Sequence, residues 1–267
     1  MNIPLAVVTG GSGGIGREIA ARLGQDGYAV VVHYSSRKSA ADDVVDAIHR
    51  DAGSAWSVQA DLSEPSGVDA LADAVFRLLD AQSELALHAL VNNASLMLGP
   101  GFGAVTPAAF DNYLSLNVRA PLLLTQALSP RMRRGGSVVN ISSAAAHFAS
   151  PGDLIYAMSK NAIEAFTRHA AVDLAKDGVR INNVVPGFTD NGHPAFKDTD
   201  VRAHMASFAA MGDVSAPAHV ADAVAFLVSD HASRTTGTSV DVSGGSTIGA
   251  RTSNSASLSL RQVAQRY

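Results

Sequence analysis

Seven short apolar runs punctuate the chain, at residues 3–9 (IPLAVVT), 28–34 (YAVVVHY), 54–59 (SAWSVQ), 87–92 (LHALVN), 136–142 (GSVVNIS), 179–185 (VRINNVV) and 238–243 (TSVDVS). They are continuous rather than alternating, the pattern of strands covered on both faces. Between them, apolar residues recur at helical spacing over 14–25, 39–51, 65–81, 107–133, 156–177 and 217–229. This alternation predicts an α/β fold: one doubly wound, seven-stranded parallel sheet with helices on both faces. Right-handed crossovers then place ligands at the carboxyl ends of the strands.

Two segments break the rhythm. Residues 186–213 (PGFTDNGHPAFKDTDVRAHMASFAAMGD) form a long insertion at the ligand-binding edge, where lids and binding loops occur. The polar, Ser-rich stretch 249–267 reads either as a loosely ordered tail or as a subunit contact, which leaves 1–248 as the domain.

Composition narrows the classes further. Of the 267 residues, 47% are hydrophobic and 16% charged, as in a globular chain with a substantial core. A formal charge of −4 without a basic stripe argues against a nucleic-acid binder. The absence of cysteine excludes disulfides, thiolate metal sites and cysteine nucleophiles. No HExxH or similar spacing suggests a metal, no window approaches a membrane span, and the N-terminus enters a strand directly, so a cytoplasmic protein is expected.

The first strand ends in Thr9-Gly10-Gly11-Ser12-Gly13-Gly14-Ile15-Gly16-Arg17. Such glycines turn the chain tightly and bring backbone N–H groups to a diphosphate at a helix N-terminus. After strand two a carboxylate would hold the ribose 2′-hydroxyl of NAD; here HYSSRK supplies Ser35, Ser36, Arg37 and Lys38 instead. Planar guanidinium donors suit a 2′-phosphate, with Arg17 nearby, so NADPH is expected over NADH. The competing reading makes Arg37 and Lys38 solvated residues opening the next helix. Asp61, after strand three, either accepts an adenine amine while the Leu62 backbone contacts the ring, or caps the following helix.

Tyr156 and Lys160 are spaced i, i+4 and share a helix face, and Ser143 closes the preceding strand. An ammonium beside a phenol is expected to lower its pKa, so that Tyr156 exchanges a proton with a carbonyl oxygen while Ser143 orients that oxygen.

Together these motifs resemble the short-chain dehydrogenase/reductase family over about residues 1–248: TGGSGGIG, Asn92-Asn93-Ala94, Asn117 in SLNV, Ser143, Tyr156, Lys160 and Pro186-Gly187. The resemblance implies a Rossmann fold and a catalytic set of Asn117, Ser143, Tyr156 and Lys160. In that set Tyr156 is the general acid/base. Lys160 also binds the nicotinamide ribose, and Asn117 holds a water that links Lys160 to solvent. On its residues alone, Asn117 reads as a helix side chain bonded to a neighbouring strand. The resemblance also implies that Asn92 braces the central strands, and that Ile15, Asp61, Asn93, Ala94, Pro186, Gly187 and Thr189 line the cofactor. Two positions depart from the family pattern. Ser95 stands where a glycine usually ends the strand-four motif, and Asn191 stands where a threonine often follows Pro-Gly, leaving Thr189 as the nearer hydroxyl.

Substrate contacts are expected from Ser95, Leu96, Met97, His147, Phe148 and Phe188, with Phe196, Met205, Phe208, Met211 and His193 from the insertion. The chain is similar to NADPH-dependent 3-oxoacyl reductases and reductases of aromatic polyketides, which implies reduction of a ketone to a secondary alcohol. An enoyl reductase is disfavoured, because that branch resembles a wider tyrosine–lysine spacing. An acyl carrier protein would meet Arg131, Arg133 and Arg134. Two alternatives are an NADP-dependent alcohol or sugar dehydrogenase working in the oxidising direction, and a non-catalytic NADP(H) sensor. The family's habit implies a homo-oligomer, tetramer or dimer, pairing through the fourth and fifth helices and the C-terminal strand region.

Overall fold

The valine-rich run Ala29–Val32 shows why a strand forms here: β-branched side chains fit a pleated surface, and both faces of this strand are sealed. In the computed structural model, which describes residues 2–149 and 153–249, the strands are β1 (Ile3–Val8), β2 (Ala29–Tyr34), β3 (Ala55–Gln59), β4 (Leu85–Asn92), β5 (Ser137–Ile141), β6 (Arg180–Pro186) and β7 (Ser239–Val242). All pair in parallel, in the order β3-β2-β1-β4-β5-β6-β7. The order reverses between β1 and β4, so a crevice opens at their carboxyl ends.

Alternate strand residues feed two cores. Ala6, Val8, Val30 and Val32 join Ile19, Leu23, Val44 and Val224 on the face covered by α1 (Gly14–Gln25), α2 (Lys38–Arg50) and α8 (Pro217–Val228). Leu5, Val7, Ala29 and Val31 join Leu71, Val75, Leu124 and Ile181 on the face covered by α3 (Pro65–Ala81), α5 (Ala120–Leu128) and α6 (Leu154–Leu174). The predicted fold class and its seven strands stand as read.

One expectation changes. The helix predicted over 107–133 is α4 (Pro107–Leu114), a π-helical turn Ser115–Arg119, then α5 and a short 3-10 turn Ser129–Arg131. The Ala120 N–H reaches back five residues to Ser115 O. Pro121 has no N–H to offer the Asn117 carbonyl, so the α-helical register cannot run unbroken through this point. The insertion has structure of its own: a 3-10 turn Pro194–Lys197 and α7 (Thr199–Ala206). Its neck is closed by Ser215, whose carbonyl accepts from Asp190 N (2.9 Å) and whose N–H donates to Phe188 O (2.8 Å). Arg202 then clasps both flanks, reaching Asp190 at 3.1 Å and Asp213 at 3.2 Å. Beyond Gly249, the predicted tail lies outside the described residues.

The second half of the sheet carries a row of buried amides. Asn92, Asn140, Asn183 and Ser239 are register partners on β4, β5, β6 and β7. Asn92 Nδ2 donates to Asn140 Oδ1 (2.8 Å), Asn140 Nδ2 to Thr167 Oγ1 of α6 (2.9 Å), Thr167 to Asn183 Oδ1 (2.7 Å), and Asn183 Nδ2 to Ser239 Oγ (3.0 Å). Asn92 thus braces the central strands, and the brace runs across four of them.

At the opposite, amino edge, Arg180, Ser137, His88 and Tyr28 bond the last carbonyls of α8. Basic groups suit a helix C-terminus, where the peptide dipoles leave negative charge.

Candidate active site

The glycine turn is fixed by contacts on both sides. Gly14 opens α1 with φ +53°, and a Cβ on Gly16 would stand 2.3 Å from Gly10 O, so neither position accepts a side chain. Across the switch point, Thr9 Oγ1 accepts from Asn93 N (2.9 Å) and Ala94 N (3.0 Å), and Asn93 Nδ2 donates to Thr9 O (2.9 Å). From β2, His33 Nδ1 accepts the Gly10 N–H at 3.0 Å while its Nε2 meets Ala60 O at 3.1 Å. Burial pushes this imidazole down to about 4, which keeps it neutral and able to accept from Gly10. Sequence reading missed Thr9 and His33; a polar residue flanked by Val32 and Tyr34 in a sealed strand was the available signal.

A cleft of about 640 Å³ lies over this turn. Gly10, Ser12, Gly13, Gly14 and Ile15 form its floor, and Ser35, Ser36 and Arg37 one end. Asp61, Leu62, Asn93, Ala94 and Ser95 form its side, with Asn191–Pro194 of the insertion opposite. Arg37 turns back over the glycines: its guanidinium lies 2.9 Å from where a Cβ on Gly13 would be. The residues therefore fit a dinucleotide, with backbone amides at a helix N-terminus, a guanidinium at the ribose end and two serines beside it.

Several expected contacts fall elsewhere. Arg17 projects into a separate surface cleft beside α2, shared with Asp43 and Asp46, because its position on α1 faces that helix. Lys38 pairs with Asp42 at 2.5 Å. Asp61 stays on the side of the cleft, where its Oδ1 takes the amide and hydroxyl of Ser63 (3.0 and 2.7 Å), which hold its carboxyl below the usual range, while Glu64 occupies the N-cap of α3. Gly16 is buried within α1. Pro186, Gly187 and Thr189 lie outside the cleft lining: Thr189 is buried in the neck and donates to Gly187 O at 3.1 Å, and Gly187 packs against Ser243. Asn191, rather than Thr189, faces the cleft.

Beyond Ser95 stand the expected catalytic side chains. Tyr156 and Lys160 share one face of α6, with Lys160 Nζ 5.5 Å from the Tyr156 ring centroid. Ser143 starts a 3-10 turn (Ala144–Ala146), bonds the Ala145 amide at 3.2 Å and hydrogen-bonds Tyr156. Lys160 is 4% exposed and donates to Ile141 O at 2.8 Å. Burial pushes its ammonium down to about 7.

The expected depression of the Tyr156 pKa is reversed in this structure. Burial raises it, outweighing the Ser143 hydrogen bond that pulls it down, and an amine that itself resists protonation contributes little field. Tyr156 is a neutral phenol here.

Asn117 is fully engaged through its side chain. Its Oδ1 accepts from Leu96 N (2.8 Å), and its Nδ2 donates to Leu96 O (3.0 Å) and Ser159 Oγ (3.0 Å). It therefore ties the π turn to the β4 loop and to α6. A bound water would have to use its carbonyl, which Pro121 leaves without an α-helical donor.

On the substrate side, Phe208 of the insertion packs on Phe148 (centroids 6.0 Å), Phe188 (5.5 Å) and His204 (5.3 Å). Leu98 and Phe102, after β4, and Met211 in the insertion are exposed. Ser95 does not adopt positive φ; Leu98 does, at 60°, three residues later. His147 is engaged by α6: its Nε2 meets Glu164 at 2.9 Å, and the same carboxylate oxygen accepts from Ser142 at 2.6 Å.

The three arginines expected to meet a carrier protein precede β5, at the amino edge. Arg131 pairs with Asp80 at 2.6 Å and lies over Phe76, Arg133 donates to His88 at 2.6 Å, and Arg134 packs on Gly178. No helix among the described residues is long and apolar enough to cross a membrane.

The chain is similar to known proteins over most of its length. A family model described as enoyl-(acyl carrier protein) reductase matches residues 10–247. An oxidoreductase of Methylorubrum extorquens, named as uncharacterized, is 37% identical over 244 residues, covering 90% of this chain and 96% of that protein. The 3-oxoacyl-[acyl-carrier-protein] reductase of Staphylococcus aureus is 30% identical over 242 residues, covering 90% and 96%. The crystal structure of an angucycline C-6 ketoreductase with bound NADP superposes with a TM-score of 0.88 at 39% identity, covering 92% of this chain and 96% of that one.

Proposed function

The chain belongs to the short-chain dehydrogenase/reductase family, and from that premise we propose that it is an NADPH-dependent ketoreductase forming a secondary alcohol from an aromatic or polyketide-type ketone. The observation that carries this reading is a neutral Tyr156 phenol bonded to Ser143 and stacked under a buried Lys160, next to a dinucleotide cleft that ends in Arg37.

When bound, NADPH supplies a hydride to the carbonyl carbon. Tyr156 gives its proton to the carbonyl oxygen, and a phenol kept neutral by burial is in the state an acid needs. The Ser143 hydroxyl bonds the same oxygen and stabilises its developing negative charge. Lys160, on the same helix face with its Nζ 5.5 Å from the ring centroid, would return a proton to the phenolate, its own pKa being about 7. Asn117 holds Leu96 and Ser159, and thereby the spacing between the β4 loop and α6. In this reading residues 1–248 are the cofactor-binding and catalytic unit, and the chain works as a homo-oligomer, which light scattering would test.

Two ketone classes compete, 3-oxoacyl and aromatic or polyketide-type, and specific contacts favour the aromatic one. The aromatic cluster around Phe208 and the exposed Leu98, Phe102 and Met211 suit a broad apolar molecule. The arginines suited to an acidic carrier protein are paired or packed at the opposite edge of the sheet.

The test is NADPH consumption by the purified chain against aromatic diketones, quinones, 3-oxoacyl thioesters and simple cyclic ketones, with Tyr156→Phe as the blank. Turnover on the aromatic ketones that the blank loses by at least about 10²-fold supports the reading. Preference for thioesters would replace the substrate class. Tight NADPH binding with no turnover on any member would favour a sensor.

A further inference from the structure

We propose that His193, on the arm of the insertion, is a ligand of the cofactor's diphosphate, so that the insertion closes on the cofactor as well as on the substrate. The inference rests on the NADPH-binding reading above and adds to it a residue that neither the glycine turn nor the serine–tyrosine–lysine set contains.

The arm crosses directly over the glycine turn. The Asn191 side chain lies 3.3 Å from the position a Cβ would take on Gly14, the residue that opens α1. Asn191 Oδ1 accepts the His193 N–H at 3.1 Å, which folds the chain so that His193 lines the same cleft as Gly13 and Arg37. An anionic group seated at the N-terminus of α1 would lie within reach of this arm.

The ring is also set in one orientation. His193 Nδ1 accepts the Ala195 N–H at 3.2 Å, so in the neutral ring the proton resides on Nε2, and among the described residues that Nε2 has no partner. It is a donor on a residue that lines the cleft.

Charge gives it a purpose. Of the described residues lining the cleft, Arg37 is the cation and Asp61 an anion. The other imidazole, His33, is neutral and bonded on both nitrogens. A dinucleotide with a diphosphate and a 2′-phosphate carries more negative charge than one guanidinium offsets. The diphosphate end is therefore left to the α1 amides and to His193.

The test is equilibrium binding of NADPH, NADH and 2′-AMP to the full chain and to His193→Ala and His193→Gln. The last probe keeps the adenosine phosphate and lacks the diphosphate. The expected result for His193→Ala is a loss on the order of tenfold for NADPH and NADH alike, with 2′-AMP unchanged. His193→Gln, whose amide can place a donor near Nε2, should recover most of that loss. Unchanged dinucleotide affinity in His193→Ala, with the wild type binding NADPH tightly, overturns this inference alone. An equal loss for 2′-AMP also overturns it, since the residue would then act on the adenosine end or through the fold. A wild-type chain that binds no dinucleotide overturns the functional reading and this inference together.

Discussion

The two halves of the sheet are built on different principles. In the nucleotide half, Ala6–Val8 and Ala29–Val32 are sealed aliphatic side chains, and the cleft floor offers mainly backbone, in a turn of glycines at a helix N-terminus. In the catalytic half, β4 to β7 share a row of buried amides, and the proposed chemistry rests on side chains that need fixed positions: Ser143, Tyr156 and Lys160. Backbone geometry can rest on an oily core, because strands and turns hold it. Side-chain geometry needs directional crosslinks, and a buried amine among them costs stability.

The sharpest way to break this contrast is Lys160→Met. Turnover should fall by about 10³-fold, because the proton supply to Tyr156 is lost. The same change removes a buried group whose charged form is disfavoured, so the chain should become more stable by about 1–3 kcal/mol. Thermal unfolding should show a rise of several degrees; a fall would mean that the bond to Ile141 O matters more than the burial cost.

Acid should act first on the nucleotide half. His33 has its pKa lowered to about 4 in the fold against about 6.5 when unfolded, so the unfolded chain binds the extra proton between those values. Its contribution is complete above pH 6.5 and is lost as pH falls towards 4, amounting to about 3 kcal/mol. Denaturant titrations at pH 7.5, 6 and 5 should show that slope, and His33→Asn should flatten it.

In the catalytic half, Asn140→Leu should cost about 2–4 kcal/mol by breaking the row at its middle, leaving Asn92 Nδ2 only its longer bond to Thr125 and the Thr167 oxygen without its donor. The chemical denaturation midpoint measures it. An equally sized loss from Val31→Ala would be a cavity effect, and only Asn140→Leu should also lower kcat, since α6 carries Tyr156.

The smallest expected effect is the most selective. Arg37→Ala should weaken NADPH by about tenfold while leaving NADH within about twofold and kcat unchanged. Binding of both cofactors on one titration series checks it, and an unchanged ratio removes the 2′-phosphate assignment.

The contrast also explains what the sequence made legible. Sealed strands announce themselves as valine runs, and glycines at GGSGGIG announce a turn, so the nucleotide half was readable down to Arg37. The rest lay in relations between distant residues. Nothing local to Asn140, Thr167 or Asn183 shows that they share one row, because that depends on strand order and register. Arg17 follows the glycine turn and Arg37 follows β2, yet helix phase sends the first away from the cleft while the β2–α2 connection brings the second over it. For Tyr156, spacing alone suggested a lowered pKa; burial, which spacing does not report, reverses the sign. Nor does the sequence around His147 show its tie to Glu164, seventeen positions later.

The neck of the insertion has a consequence for how such enzymes diversify. Because Phe188–Asp190 and Ser215 zip together and Arg202 cinches both flanks, the segment between them is a loop closed at its neck, pinned further on by the Met211 N–H to Gly244 O. Such a loop can be exchanged between relatives as a cassette without moving a strand. Trading it would import a new substrate wall, Phe208 included, but would also replace Asn191 and His193. Substrate range and cofactor grip would then be inherited together rather than tuned one at a time.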